Sequence, residues 1–308
     1  MRFSLGDVLH RSAAITLRHR VLWLYGCLLV LLGAECSPPN VLTFDLSDQQ
    51  RLGLLERVQS VDASLLVTGV VLAVFAFMLL WAISVVVGNW ATGALLGGIN
   101  LMVSEGATSF GSSARLGWRY FGQMLVIGFL SGLMGLLLLV PLAAVLAVVM
   151  LTHEPVFLLA LFLWLPVVLV GSVLLALLVA LAQVHVVLAG AGPLGAIVAA
   201  WRFLGRHWWE LLLVWLVNEV AVGCATGCLL SSLVALAAIP ALLSFFVNPA
   251  LGAAFLLPVL LALLIAAFVK GVIRVFQKAV WLLAYQGLET MPVESEAEPP
   301  PAPASSGS

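Results

Sequence analysis

Three stretches of this chain contain no Asp, Glu, Lys or Arg: Ala63 to Ser104, Pro155 to Trp201, and Val220 to Val269. Each is far longer than the ~20 apolar residues that cross a bilayer as a helix. Each therefore holds more than one membrane element. A water-soluble surface cannot be assembled from what remains. Of 308 residues, 63% are hydrophobic and only 9% are charged, against about 45–50% and roughly 25% in soluble domains. The expected fold is an all-α integral membrane protein.

Dividing the apolar sequence at its polar and Gly/Pro breaks predicts about six transmembrane helices in three hairpins, each preceded by an amphipathic interfacial helix. Residues 1–288 make up this polytopic domain. The first interfacial helix spans 4–20. Its Leu5, Val8, Leu9, Ala13 and Leu17 share one face, and Asp7, Arg11 and Arg18 another, a pattern suited to lying on a membrane surface. Ser4 and Asp7 have capping-box spacing. Val21 to Ala34 reads as a short retained span. A cleaved signal peptide is the alternative, but Glu35 spoils its small-residue cleavage pattern.

Residues 35–62 form the one sizeable polar loop, expected to face outward. The second span should leave the membrane near Gly88 and Asn89, making Ala91 to Val103 a glycine-rich interfacial stretch. Further interfacial helices are expected on the inner side over 109–121 and 194–207, leading into spans from Gly122 and Trp208. His153-Glu154-Pro155 turns the third span into the fourth, and Asn248-Pro249 leads into the sixth. Residues 289–308 are acidic, proline-rich and serine-rich, the composition of a disordered cytoplasmic tail.

Charge position sets the expected orientation. With the N-terminus inside, only Arg51 and Arg57 of the 13 Lys and Arg residues fall on the outer side, as the positive-inside rule requires. Both termini are then cytoplasmic in a cell membrane. Trp118, Arg119, Trp201, Arg202, Lys270 and Arg274 sit at the inner boundary and are assigned as interfacial anchors. Lys270, Arg274 and Lys278 form an i,i+4 basic stripe, and binding of anionic lipid headgroups is an extension of that anchoring role.

Gly117-Trp118-Arg119-Tyr120-Phe121-Gly122 recurs as Ala200-Trp201-Arg202-Phe203-Leu204-Gly205, and Leu17-Arg18-His19-Arg20 follows the same plan more loosely. Three units result, each an interfacial helix followed by a membrane hairpin. With Val21-Leu22-Trp23 added to the N-terminal copy, this arrangement resembles a group of uncharacterised bacterial six-span membrane proteins. These are similar to the membrane domain that precedes some glycerophosphodiester phosphodiesterases. The resemblance covers nearly all of the chain short of its tail and implies the bacterial inner membrane. The phosphodiesterase's catalytic domain has no counterpart here, so the resemblance implies no enzymatic role.

Local motifs point the same way. Gly190-Ala191-Gly192-Pro193-Leu194-Gly195 has the spacing of a dinucleotide-binding loop, but that chemistry needs a βαβ unit. Phe157 stands where a zincin begun by His153-Glu154 needs its second histidine. Ser109, in a degenerate nucleophile elbow, reads better as a helix N-cap. Gly128 with Gly132, and Gly223 with Gly227, have the spacing that lets helices pack closely. Cys224 and Cys228 are too few to fill a metal site. No catalytic residue, metal or cofactor is expected.

Glu219 is harder to dismiss. It lies twelve residues beyond His207, about 18 Å along a helix, among apolar neighbours. An acidic group there costs about 2.5–3.5 kcal/mol on insertion. Glu219, Asn218 and His185 form the candidate intramembrane polar site, with Asn218 expected to point about 100° away from Glu219. The leading functional expectation is a non-enzymatic membrane-organising or partner-binding protein. The alternative is a small-solute or lipid transporter or permease subunit using an intramembrane carboxylate. Expected partners are membrane lipids and a protein partner or second copy of the chain, not nucleic acid.

Overall fold

The computed structural model describes residues 4–32, 63–152, 156–232, 236 and 249–290. The expected outer loop 35–62, the His153-Glu154-Pro155 turn, Asn248 and nearly all of the tail lie outside the described residues.

Every element among the described residues is helical. These are α1 (Leu5–Arg18), α2 (Val21–Leu32), α3 (Ala63–Glu105), α4 (Phe110–Thr152), α5 (Val156–Ala189), α6 (Pro193–Arg206), α7 (Trp208–Ser232) and α8 (Pro249–Glu289). Within α7, Leu216–Ala221 forms a π-helical turn. Five of these helices are long and apolar enough to cross a membrane, and α1 with α2 makes a sixth if that bent pair is one span. The chain is a helical multi-pass membrane protein.

The N-terminal helix forms as its caps dictate. Asp7 donates its backbone N–H to Ser4 Oγ at 3.4 Å, satisfying one of the first-turn donors. The chain then bends by 97° between α1 and α2, and Trp23 Nε1 closes the bend by donating to the Thr16 carbonyl at 2.7 Å. The expected apolar face of α1 is kept at Leu5, Val8 and Leu9, which pack on the core, and is lost toward the end of the helix. Val8, Ser12 and Thr16 are buried against α8, while Leu17 is exposed. The two hydroxyls can be buried because each donates to the carbonyl four residues back, at 2.8 Å.

Two boundaries are corrected. The separate helix expected over 109–121 is instead the start of α4, which begins at Phe110 and continues without a break for 43 residues. Ala91 to Val103 is no surface stretch either. Helix α3 runs through it to Glu105, and Ala91, Ala94, Leu95, Leu96 and Ile99 are fully buried. Small residues explain both results. A methyl at Gly93 would stand 3.4 Å from the Gly117 carbonyl, and one at Gly98 would stand 2.6 Å from Ser113 Oγ. The α3–α4 hairpin thus zips along its glycines, turning at Gly106, whose φ of 73° favours glycine.

At about 64 Å each, α3 and α4 are twice the ~30 Å hydrocarbon thickness. The bundle accordingly has two ends. At one, Leu22, Tyr25, Ile99, Met124, Leu181 and Leu282 are among the fully buried side chains. At the other, Val70, Phe75, Phe129, Leu137, Phe162 and Leu257 are exposed, as side chains facing lipid should be. Helix α2 crosses α8 so closely that a Cβ on Gly26 would collide with the Gly271 carbonyl.

Candidate intramembrane polar site

Between α4, α5, α7 and α8 lies a cavity of about 820 Å³. Small side chains leave it open: Ser131, Gly132 and Gly135 on α4, and Ser172, Ala176 and Ala180 on α5. No atom lies within 4 Å of where a Cβ on Gly132 would stand. Gly128, its partner in the close-packing motif, instead approaches the Asn89 amide of α3. Gly223 and Gly227 meet no neighbour within 4 Å, so the close approach expected from that pair is not made among the described residues.

The cavity is graded in polarity. Leu138, Leu139 and Val168 wall the end farther from the packed core, while Gln183, Glu219, Arg274, Gln277 and Lys278 gather at the nearer end. From Val168 to Gln183 is about 22 Å along α5. That matches one leaflet, roughly 20–22 Å with its headgroup region.

Glu219 lines this cavity, and its partner comes from the neighbouring helix. Arg274 Nη1 stands 3.5 Å from Glu219 Oε2, with the two side chains 21% and 32% exposed. The same Nη1 donates to Gln277 Oε1 at 2.9 Å. Lys278 Nζ donates to Gln183 Oε1 at 3.0 Å. Arg274 thus serves as an ion-pair partner within the bundle as well as a boundary cation. Lys270, one turn earlier, is half-buried and stands outside the cavity lining.

Asn218 overturns the expected geometry. It is fully buried, and its Nδ2 donates to Glu219 Oε1 at 3.1 Å. The 100° separation assumed an α-helix. The π turn is wider, so consecutive residues are angularly closer and neighbouring side chains can meet. Asn218 Oδ1 is buried without a hydrogen-bond partner among the described residues.

His185 belongs elsewhere. Its Nδ1 lies 2.8 Å from Tyr285 Oη, on a different face of α5 from Gln183. Two residues on an α-helix diverge by about 200°, which is why Gln183 reaches the cavity and His185 does not. Gln183, Gln277 and Lys278 complete the site. Their sequence signal was a lone glutamine inside an uncharged run and a basic stripe with a glutamine beside it.

The remaining anchors face outward. Trp118 is 64% exposed and Trp201 60%, with Arg119 and Arg202 beside them also exposed. Ser109 caps α4, accepting from the Ser112 N–H at 3.2 Å. The glycine run after His185 is a helix-to-helix break: Gly190 ends α5 at φ 62°, and Pro193 begins α6. Comparison with family models, curated proteins and solved structures finds no match.

Proposed function

We propose that this chain is a non-enzymatic protein of the cytoplasmic membrane that holds a lipid-like amphiphile in the α4/α5/α7/α8 cavity, as the binding part of a lipid- or solute-handling system. The observation that carries this reading is the polarity gradient of the cavity. An apolar wall at Leu138, Leu139 and Val168 leads over one leaflet's depth to the Glu219–Arg274 pair and Lys278. An amphiphile is built on the same plan, with chains at one end and a polar head at the other.

The positive-inside asymmetry supports placing the basic end of the bundle at the cytoplasmic surface. The polar end of the cavity then lies at inner-leaflet headgroup level.

Native mass spectrometry of protein extracted from its own membrane tests the reading. The wild type should carry adducts of lipid mass, and Gly132→Leu, which starts a bulky side chain where a Cβ meets nothing within 4 Å, should lose them. A wild type free of adducts, or equal adducts on both proteins, would refute it.

A further inference from the structure

We infer that the half of α7 beyond its π turn is a lateral gate to the cavity, seating Gly223 and Gly227 on α5 when the chamber is empty and standing off when an amphiphile occupies it. This rests on the cavity holding an amphiphile at all. Helix α7 is packed only as far as the π turn. Its buried residues are Leu211, Val214 and Asn218, and none of the described residues from Glu219 to Ser232 is buried. The joint lies where Asn218 and Gln277 hold α7 to α8, and π turns of this kind recur at functional sites. Asn218 Oδ1 stays buried and unmet there, so a small rotation that gave it a donor would be favoured.

The faces on either side of the gap match. Ser172, Ala176 and Ala180 line the cavity at four-residue spacing on α5, and Glu219, Gly223 and Gly227 follow at the same spacing on α7. Gln183 and Glu219 reach α8 at Lys278 and Arg274, one turn apart. Glu219 therefore stands about 6 Å farther from the packed core than Gln183, roughly level with Val179. The two helices are consecutive spans running in opposite directions. Gly223 then comes level with Ala176, and Gly227 with Ser172. Paired small-residue stripes let helices approach closely.

The corresponding crossing elsewhere in the bundle is already closed. Helices α1 and α6 have the same length and bury the same steps, Val8, Ser12 and Thr16 in one, Ala196, Ala200 and Leu204 in the other. Helix α1 packs on α8, and α6 packs on α5. The span that follows α1 closes on α8, with Gly26 against Gly271. The span that follows α6 is α7, and its counterpart partner is α5. A chain of the guest lying between the two stripes holds them apart, so the guest enters sideways, with its apolar part already in hydrocarbon.

Disulfide trapping tests the gate in the full chain, with native cysteines replaced and Ala176→Cys and Gly223→Cys introduced. Two cysteines bridge only when their Cα atoms come within about 7 Å, which a guest between α5 and α7 prevents. Protein as extracted, its lipid adducts read by native mass spectrometry, is compared with protein stripped of lipid, and again after total lipid from its own membrane is returned. Stripping should speed linking by about tenfold or more, because a guest bound only to the open form holds the population there. Returned lipid should reverse the gain. Adding Gly227→Leu, at a position where a Cβ meets nothing within 4 Å, should abolish the fast linking in a protein that stays monodisperse and helical. Adduct-bearing protein whose pair never links, links equally with and without lipid, or links fast despite Gly227→Leu would overturn the gate and leave the cavity reading intact. Protein that carries no adducts would overturn both.

Discussion

The side-chain amide of Gln277 donates to the backbone carbonyl of Asn218 at 2.9 Å, and Asn218 Nδ2 reaches back to the Gln277 carbonyl at 3.5 Å. This reciprocal pair ties the π turn of α7 to α8, one residue from Glu219 on α7 and three from Arg274 on α8. Both residues are buried, where an unmet amide costs about 1–3 kcal/mol. The cavity's α7 wall is therefore held by polar contacts clustered within one helical turn.

Deleting Val217 should remove the extra residue that makes the π turn. The helix would then be regular, with consecutive residues about 100° apart, so Asn218 and Glu219 could no longer lie together against Arg274 and Gln277. Arg274→Ala should then lower the melting temperature of the deletion variant by less than it lowers that of the native chain, the Arg274–Gln277 bond being common to both. An equal loss in both backgrounds would show that the π turn does not position the pair.

Removing one member of an ion pair from a poorly solvated place leaves the other charge uncompensated. The losses from Glu219→Ala and Arg274→Ala should sum to more than the loss in the double variant. A coupling of about 1 kcal/mol is expected, at the upper range for partly exposed pairs. Strictly additive losses in a thermal-unfolding cycle would exclude a working pair.

Glycines in this chain divide into those that touch backbone and those that border space. A Cβ on Gly271 would stand 2.7 Å from the Cys27 nitrogen, so Gly271→Ala must push α2 and α8 apart, at about 1–3 kcal/mol. Gly132→Ala meets nothing within 4 Å and gains up to about 1 kcal/mol of helix propensity. The melting temperatures should move in opposite directions. A Gly271→Ala protein as stable as Gly132→Ala would mean that the close crossing is not made.

Orientation is open to direct measurement. Ala107 is exposed in the turn between α3 and α4. In a chain with its native cysteines replaced, a single cysteine at Ala107 should react with a membrane-impermeant maleimide only after the membrane is opened. Labelling in intact cells would place this end of the bundle outside and reverse the proposed topology.

Local chemistry was legible in the sequence where it was sufficient. Ser4 with Asp7, Ser109, and the Gly192-Pro193 start of α6 mark helix ends through interactions spanning a few residues, and the structure places those ends within a residue or two. The repeated Trp-Arg motif was less informative. Trp201-Arg202 precedes a break at His207, whereas Trp118-Arg119 lies within an unbroken helix, held by the distant Gly93–Gly117 contact. In structure, the ends that correspond are Arg18-His19 and Arg206-His207, each closing a 14-residue helix with histidine as C-cap. This is one turn beyond the Arg202 that the motif suggests. Arg274's role was hidden because its carboxylate partner belongs to another helix. The Asn218–Glu219 contact was hidden because it depends on a π turn that side-chain periodicity does not announce.

The crossing of α2 with α8 also sets an order of assembly. Cys27 and Phe268, which meet at that crossing through the thiol and a carbonyl, are 241 residues apart. A ribosome adding about 5–20 residues per second leaves α2 waiting about 12–50 s for its mate. During that interval Leu22 and Tyr25 have only α3 and the start of α4 for cover. Final closure of the bundle must therefore follow synthesis of α8. A chain interrupted before Gly271 would expose the glycine face of α2 to the quality-control machinery of the membrane.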